Sequence, residues 1–299
     1  MELGEFHEDW TVRHQLRHVR GSRFRGSGRA AAEAAGFESI WTGEHVVLPD
    51  PMLPSFPLAP DTPMLDTTVA LTWIAAHTKR VRIASGIIVL PLRNPLLLAK
   101  ELASVDFVSG GRLIIGVGAG WLEPEFKALG VPMEGRGERM DDALRAIRSL
   151  WTMEHPEHHG PSASFSHVAS YPRPIQRPMP PIVIGGESSA ALRRAVTLGN
   201  GWYGFGLTVE QTKQHLEGLR RAAEQHGRQP ELGKLEITVT PVGRFDQRSV
   251  EAFAAAGVHR LVVLPNHEAS HAQRHKPVPL GDILRNIEAV SQVVAGAVG

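Results

Sequence analysis

The sequence predicts an α/β protein of the parallel TIM (β/α)8 barrel type with insertion segments, formed by a single domain over residues 1–299. Short apolar runs alternate with helical patterns along the chain, and strict alternation of strand and helix is typical of a parallel sheet. About eight such units follow one another, which is the number that closes a parallel sheet into a barrel. An open, doubly wound sheet is the structural alternative, and it would need fewer strands and a point where the strand order reverses.

The predicted strands are short apolar segments, several of them rich in the β-branched residues that buried parallel strands favour. They are Leu3–Phe6, Phe37–Trp41, Val81–Leu90, Leu113–Val117, Ile182–Ile184, Gly201–Phe205, Leu235–Val242 and Leu261–Leu264.

The predicted helices depend on start signals. Asn94 followed by Pro95 combines a capping side chain with a proline in the first turn. Thr208 and Gln211 form a capping box, and Asp66 is a further capping residue. Helices are predicted at 30–35, 66–76, 94–108, 138–151, 188–198, 208–226, 249–256 and 283–294.

Two segments depart from the alternation. Residues 1–29 are polar and rich in arginine, and Gly21, Gly26 and Gly28 would break a helix there. We therefore expect an atypical or poorly ordered N-terminal segment. Residues 153–181 are rich in proline and histidine without periodicity, and we predict that they form an insertion.

Composition excludes several classes of function. The net charge of +1 argues against broad binding to nucleic acid or to an anionic membrane, and the absence of cysteine removes disulfides and thiolate chemistry. The chain contains no apolar run long enough to span a bilayer, and its acidic start is unlike a secretory signal, so we expect a cytoplasmic protein. His267, His271 and His275 have helical spacing, but prolines follow and no carboxylate is organised around them. We therefore predict no metal site.

Functional residues of such a barrel collect at the carboxyl ends of the strands. Glycines are frequent at the predicted strand ends, and they let the backbone approach a flat or phosphorylated ligand closely, which suits a cofactor. The candidate cofactor-binding residues are Ser85, Gly86, Ile87, Gly118, Gly120, Trp121, Gly185, Gly186, Glu187 and Ser188. A glycine turn that leads into a helix aims backbone N–H groups at an anion, although a tight turn with a serine cap is the alternative.

His45 is the candidate catalytic residue. It follows the second predicted strand, where it could act as an acid–base group or as a donor to a ring. A structural histidine is the alternative. Other chemistries are poorly supported, because no lysine ends a strand, strand-end histidines and carboxylates are too few for a two-metal hydrolase, and no Gly-x-Ser-x-Gly motif occurs.

Several segments together resemble the luciferase-like monooxygenase superfamily, with the closest similarity to its branch of oxidoreductases that use the deazaflavin coenzyme F420. They are AAEAAGFESIWTGEH at 31–45, TKRVRIASG at 78–86, NPL at 94–96, DFVSGGRLIIGVGAGW at 106–121, RGER at 136–139 and PIVIGG at 181–186. Relatives in this superfamily use flavin mononucleotide (FMN) instead.

The resemblance implies a usually dimeric barrel whose cofactor ring lies across the strand ends. It implies a bulge at Gly86–Ile87 behind the ring, a phosphate held at Gly185, Gly186 and Ser188, and His45 near the reactive face. Trp121 stands where sugar-phosphate dehydrogenases of the family carry a glutamate. This departure argues against a sugar-phosphate substrate and suggests an aromatic wall, with core packing as the alternative.

Three functions remain open at this point. The first is an oxidoreductase that transfers a hydride between F420 and a small organic substrate. The second is an FMN-dependent monooxygenase that receives reduced flavin from a partner reductase. The third is a barrel that binds a flavin without catalysis. Oxygen reactivity of the bound, reduced cofactor separates the first two, and binding without turnover would indicate the third.

Overall fold

The computed structural model describes residues 2–3, 27–54, 56, 58–264 and 280–298. The strands are β1 (Glu2–Leu3), β2 (Ser39–Thr42), β3 (Arg82–Ser85), β4 (Ile88–Val89), β5 (Leu113–Gly118), β6 (His158–His159), β7 (Ser164–Phe165), β8 (Ile182–Gly185), β9 (Gly201–Leu207), β10 (Glu236–Pro241) and β11 (Arg260–Leu261). The helices are α1 (Ser27–Ala34), α2 (Thr67–His77), α3 (Pro95–Ser109), α4 (Glu123–Ala128), α5 (Arg136–Thr152), α6 (Ser189–Leu198), α7 (Val209–His226), α8 (Gln247–Ala255) and α9 (Leu280–Val298).

The start signals identified in the sequence act as expected. The side chain of Asn94 accepts hydrogen bonds from the first-turn N–H groups of α3, and Asp66 does the same for α2. Thr208 and Gln211 form both bonds of the capping box. The short helix α4 was not predicted from the sequence, and it carries a residue of the candidate site.

The sheet is parallel, and its strand order follows the chain. Beginning at β2, the order is β2, β3, β5, β8, β9, β10 and β11, with β4 also paired to β5. The first strand pairs in parallel with the last, since Glu2 lies opposite Arg260. A sheet that curls into a barrel brings its first and last strands side by side. The predicted (β/α)8 class is therefore confirmed.

One predicted strand, Val81–Leu90, is wrong as a single element. The structure divides it into β3 and β4, separated by a cis peptide bond between Gly86 and Ile87. Ile83 lies opposite Leu113, whereas Ile88 lies opposite Val117, so the strand carries one extra residue relative to β5. This one-residue excess is a β-bulge, and a run of β-branched residues cannot reveal it.

A side chain replaces the backbone pairing at the bulge. The hydroxyl of Ser85 donates to the carbonyl of Gly116 and accepts from its N–H, both at 2.9 Å. The strand can therefore leave the hydrogen-bond ladder while the buried N–H and carbonyl of Gly116 keep hydrogen-bond partners.

The barrel interior contains a layer of inward-facing side chains. They are Trp41, Ala84, Ile114, Val183, Tyr203 and Val262, with Ile87 packed against them. Ile87 takes the space that side chains on two strand-end glycines would occupy. A Cβ at Gly118 would lie 2.4 Å from the Cδ1 of Ile87, and one at Gly185 would lie 2.3 Å from it.

The segment 153–181 contains the small antiparallel pair β6–β7. His158 binds the carboxylate of Asp142 on α5 at 2.8 Å, and Asp106 on α3 accepts from the N–H of Ile175 at 2.7 Å. These contacts attach the segment to two barrel helices. Its status as an insertion stays a prediction. Residues 1 and 4–26 of the atypical N-terminal segment lie outside the described residues. The expectation that Gly28 breaks a helix is wrong, because Gly28 lies in the first turn of α1.

The described residues show neither a membrane-spanning helix nor a metal site. No helix there is both long and apolar enough to cross a membrane. No cluster of three or more metal-ligating side chains occurs there either. His267, His271 and His275 lie outside these ranges.

We predict that Gly116→Ala is strongly destabilising. A Cβ at this position would lie 2.0 Å from the carbonyl oxygen of Ser85, which is backbone and cannot move aside without opening the bulge. We expect a loss of about 3 kcal/mol in the free energy of unfolding, measured with urea. Gly281→Ala is the matched control, because the nearest atom to its Cβ is the flexible end of Arg285 at 3.6 Å. Equal stability of the two variants would contradict the prediction.

Candidate active site

The sequence-predicted residues gather at the carboxyl ends of the strands. Gly118 and Gly185 end β5 and β8, and both lie against the side chain of Ile87. Gly86 lies beside Trp41, whose ring would be 3.1 Å from a Cβ there, and donates its N–H to the carbonyl of Thr42. The site therefore has an apolar floor, formed by Ile87 and flanked by glycine backbone.

Ser85 and Gly120 have structural contacts of their own. The Ser85 hydroxyl is fully buried and bound twice to Gly116, so its side chain is committed to the sheet. Gly120 has φ 78° and a Cβ there would lie 2.5 Å from Val89, so a residue with a side chain would be both strained and crowded. Its carbonyl accepts from Arg136 at 3.0 Å.

His45 is held by a carboxylate that sequence reasoning missed. Its Nδ1 lies 3.1 Å from Oε2 of Glu125, and the other carboxylate oxygen accepts from the N–H of Val46 at 2.6 Å. The Glu125 side chain is 1% exposed. An ionised carboxylate only accepts hydrogen bonds, so this contact suits the tautomer with the proton on Nδ1, which leaves Nε2 available to another partner.

Glu125 lies in the first turn of α4, behind Pro124. A proline and two glutamates just after a strand-end glycine turn, at Glu123 and Glu125, were the available signal for this helix. Only the fold shows that Glu125 lies opposite a histidine 80 positions earlier.

Glu44 precedes His45 and is buried as well. It accepts from the N–H of Val89 at 2.7 Å and forms an ion pair with Arg93, which also binds Asp66 at 2.9 Å. Burial raises the pKa of Glu44 above its ordinary value, and the guanidinium of Arg93 only partly opposes this. The pair ties the end of β2 to β4, directly after Ile87.

Two aromatic rings stand beside His45. The Phe56 ring meets the imidazole edge-on, with centroids 5.0 Å apart and planes at 84°, and contacts Trp121 at 5.6 Å. Phe56 is 4% exposed, whereas Trp121 is 56% exposed. We call Phe56 and Trp121 the aromatic rim.

The turn from Gly185 to Ser188 leads into α6. Gly186 has φ 116°, which favours glycine, and the Ser188 hydroxyl caps the helix by accepting from Ala191 N–H at 3.2 Å. Gly186, Glu187 and Ser188 are exposed. The Glu187 carboxylate lies 3.6 Å from Nε2 of His215.

These residues fit a planar cofactor with a phosphorylated tail. Ile87 fills the room beside Gly118 and Gly185, so a flat ring at these strand ends would meet an apolar side chain flanked by glycine backbone. The start of α6 is exposed, and the first N–H groups of a helix lack intrahelical acceptors and favour an anion. His45 stands at the same end of the barrel, held by Glu125.

We predict that Arg93→Met destabilises the protein by about 3 kcal/mol near neutral pH, because Glu44 would be left as an unpaired buried charge. Burial already raises the pKa of Glu44, and loss of Arg93 raises it further. The carboxylate can then protonate as pH falls, so the deficit should be smaller at about pH 5 than at about pH 7.5.

The double variant Glu44→Gln/Arg93→Met is the control for this experiment. It removes both charges and keeps an acceptor for Val89, so we expect most of the stability to return. Urea unfolding at both pH values measures these differences. A deficit that is independent of pH, or one that the double variant does not relieve, would show that the unpaired charge is not the cause.

Comparisons with known proteins place the chain in a family. The model of a luciferase-like monooxygenase family matches residues 25–294. An uncharacterised protein of Mycobacterium tuberculosis is 29% identical over 276 residues, covering 90% of this chain and 93% of the relative. The FMNH2-dependent dimethylsulfone monooxygenase of Pseudomonas putida is 32% identical over 182 residues, covering 60% of this chain and 50% of the relative.

Solved structures share the fold. The monooxygenase RslO1 from Streptomyces bottropensis has a TM-score of 0.74 at 22% identity, with both chains covered completely. An F420-dependent secondary alcohol dehydrogenase, solved with an F420–acetone adduct, has a TM-score of 0.71 at 16% identity, covering 93% of this chain and 98% of that one. The family match spans most of the sequence, so this protein is an enzyme that belongs to the luciferase-like monooxygenase family.

Proposed function

We propose that the protein is an oxidoreductase that transfers a hydride between coenzyme F420 and a small organic substrate. The observation that carries this proposal is the His45–Glu125 pair, which lies at the same end of the barrel as Ile87 and the glycines that end β5 and β8. A histidine held in this way near an apolar surface for a planar ring is suited to redox chemistry that also moves a proton.

In this proposal, Ile87, Gly86, Gly118, Gly120 and Trp121 would hold the cofactor ring, and Ser85 would contribute by holding the bulge. The backbone N–H groups of the turn at Gly185, Gly186, Glu187 and Ser188 would bind the phosphate. When bound, F420 supplies a centre that accepts or releases a hydride.

His45 has a defined part in this reaction. Its Nε2 gives a proton to the substrate carbonyl oxygen during reduction and takes the proton from the hydroxyl during oxidation. Glu125 accepts at Nδ1 and so keeps the ring in one orientation and stabilises the positive charge that appears when Nε2 is protonated. This arrangement favours catalysis over simple storage of a flavin, because storage does not need a buried carboxylate behind a histidine.

Similar proteins of both cofactor classes are known, and they support the two candidates. The F420-dependent alcohol dehydrogenase is covered over 98% of its length, whereas the FMNH2-dependent dimethylsulfone monooxygenase is covered over 50%. An FMN-dependent monooxygenase served by a separate reductase is the second candidate, supported by the complete match to the monooxygenase RslO1. The homodimer and the cytoplasmic location expected from the sequence stay predictions.

Cofactor binding is tested by titrating apoprotein with F420 and with FMN, followed by fluorescence. We expect F420 to bind more tightly than FMN, and the bound, reduced cofactor to persist in air. Preferential binding of FMN with rapid reoxidation would favour the second candidate. Binding of neither cofactor would contradict both.

Ser188→Asp tests the phosphate position within the same titration. Aspartate caps a helix as well as serine does, so stability should hold, while its charge repels a phosphate at this turn. We expect affinity for either cofactor to fall about tenfold, which corresponds to about 1.4 kcal/mol. An unchanged affinity would show that the phosphate does not bind at this turn.

We predict that His45→Asn lowers kcat by about 10²–10⁴-fold, the usual range for loss of a general acid–base group. Glu125→Gln should lower kcat less and shift the pH profile of the reaction, because the amide cannot stabilise a charged imidazole. Affinity for F420 should stay within about threefold in both variants. Turnover is measured with a panel of ketones, enones and alcohols.

His77→Gln is the control for these variants, since its Nδ1 contacts only the carbonyl of Trp73 in its own helix among the contacts described. It should leave kcat unchanged. Wild-type turnover by His45→Asn would exclude His45 from proton transfer.

A further inference from the structure

The aromatic rim combines an exposed ring with a buried ring that packs against it. Trp121 presents more than half of its side chain to solvent, directly after the Gly118–Gly120 turn. Phe56 supports it from below while being almost fully buried, and Phe56 also packs edge-on against His45. A large exposed apolar ring held in place by a buried one, next to a candidate catalytic residue, indicates a ligand contact.

The apolar character continues along the chain from His45. Val46 and Val47 are both exposed, and the N–H of Val46 is fixed by Glu125. The same carboxylate therefore holds both the imidazole and the start of this apolar segment. A substrate that reaches His45 would therefore approach a surface with exposed apolar residues as well as the aromatic rim.

The charges around His45 favour an uncharged ligand. Glu125 and Glu44 are buried beneath this surface, and each carboxylate would repel an anion. The charge of Arg93 is already matched by Glu44 and Asp66. Arg136 directs Nε and Nη1 to the carbonyls of Gly120 and Met133.

We infer that the aromatic rim is a substrate subsite that binds an uncharged compound with a flat apolar body and one carbonyl or hydroxyl group. The body stacks on Trp121 and contacts Phe56, and the oxygen of the substrate binds Nε2 of His45. This inference rests on the proposed function and adds the substrate class to it. Compounds with a carboxylate or a phosphate are rejected, because the buried carboxylates of Glu44 and Glu125 beneath this surface repel an anion.

The inference is tested by saturation-transfer NMR with acetophenone and 4-acetylbenzoate, which share a ring and a ketone and differ by one negative charge. Both are titrated against the protein with and without F420. We expect acetophenone to bind at least about tenfold more tightly than 4-acetylbenzoate. Trp121→Ala should weaken acetophenone binding about tenfold, whereas Trp121→Phe should keep it within about threefold.

Phe107→Ala is the matched control. Phe107 is 55% exposed, nearly the same as Trp121, but it lies at the carboxyl end of α3, where the chain enters β5 at the opposite end of the barrel. This variant should bind acetophenone as the wild type does. A similar loss in Phe107→Ala and Trp121→Ala would show that any exposed ring binds the probe, and would overturn the inference.

Several other outcomes would overturn the proposed subsite. Absence of acetophenone binding, equal binding of the two compounds, or no effect of Trp121→Ala overturns the subsite. F420 fluorescence is read in the same samples. If F420 does not bind but acetophenone still binds more tightly than 4-acetylbenzoate, the proposed function is wrong and the subsite stands. If F420 binds but the two compounds bind equally, only the subsite is wrong.

Discussion

The candidate site depends on one pair of hydrogen bonds within the sheet. The Ser85 hydroxyl binds the N–H and the carbonyl of Gly116, where a neighbouring strand would otherwise supply backbone partners. This exchange lets the strand gain a residue and turns Ile87 across the top of the barrel core. Ile87 can lie there only because Gly118 and Gly185 have no side chains. A floor for a flat ligand thus results from a single bulge and the missing side chains around it.

Two buried glutamates fix the chain around that floor, and both do so with the same set of contacts. Each carboxylate accepts from one backbone N–H and pairs with one basic side chain. Glu44 joins Val89 to Arg93, and Glu125 joins Val46 to His45. The chemistry differs because Arg93 keeps its proton under all ordinary conditions, whereas a histidine can exchange one. One pair therefore fixes the backbone, and the other holds a side chain that can exchange a proton.

Much of this could be predicted from the sequence, because local signals decide it. Caps such as Asn94 and Thr208 act within one turn of helix, and the apolar runs that form parallel strands are continuous in the chain. The division of Val81–Leu90 could not be predicted from residue type, since β-branched residues continue through it and the extra residue is defined only relative to β5. Glu125 was missed for a related reason: its partner is distant in sequence, and the six-residue helix that carries it has too little periodicity to be recognised.

The chain between His45 and Asp66 is anchored at both ends and carries one half of the aromatic rim between them. Glu125 fixes its beginning through Val46, and Arg93 fixes its end through Asp66. Loops fixed in this way can change their interior residues without disturbing the scaffold. Residues within this loop could therefore change while His45 and Glu125 keep their positions, which makes the loop a natural starting point for directed evolution toward new substrates.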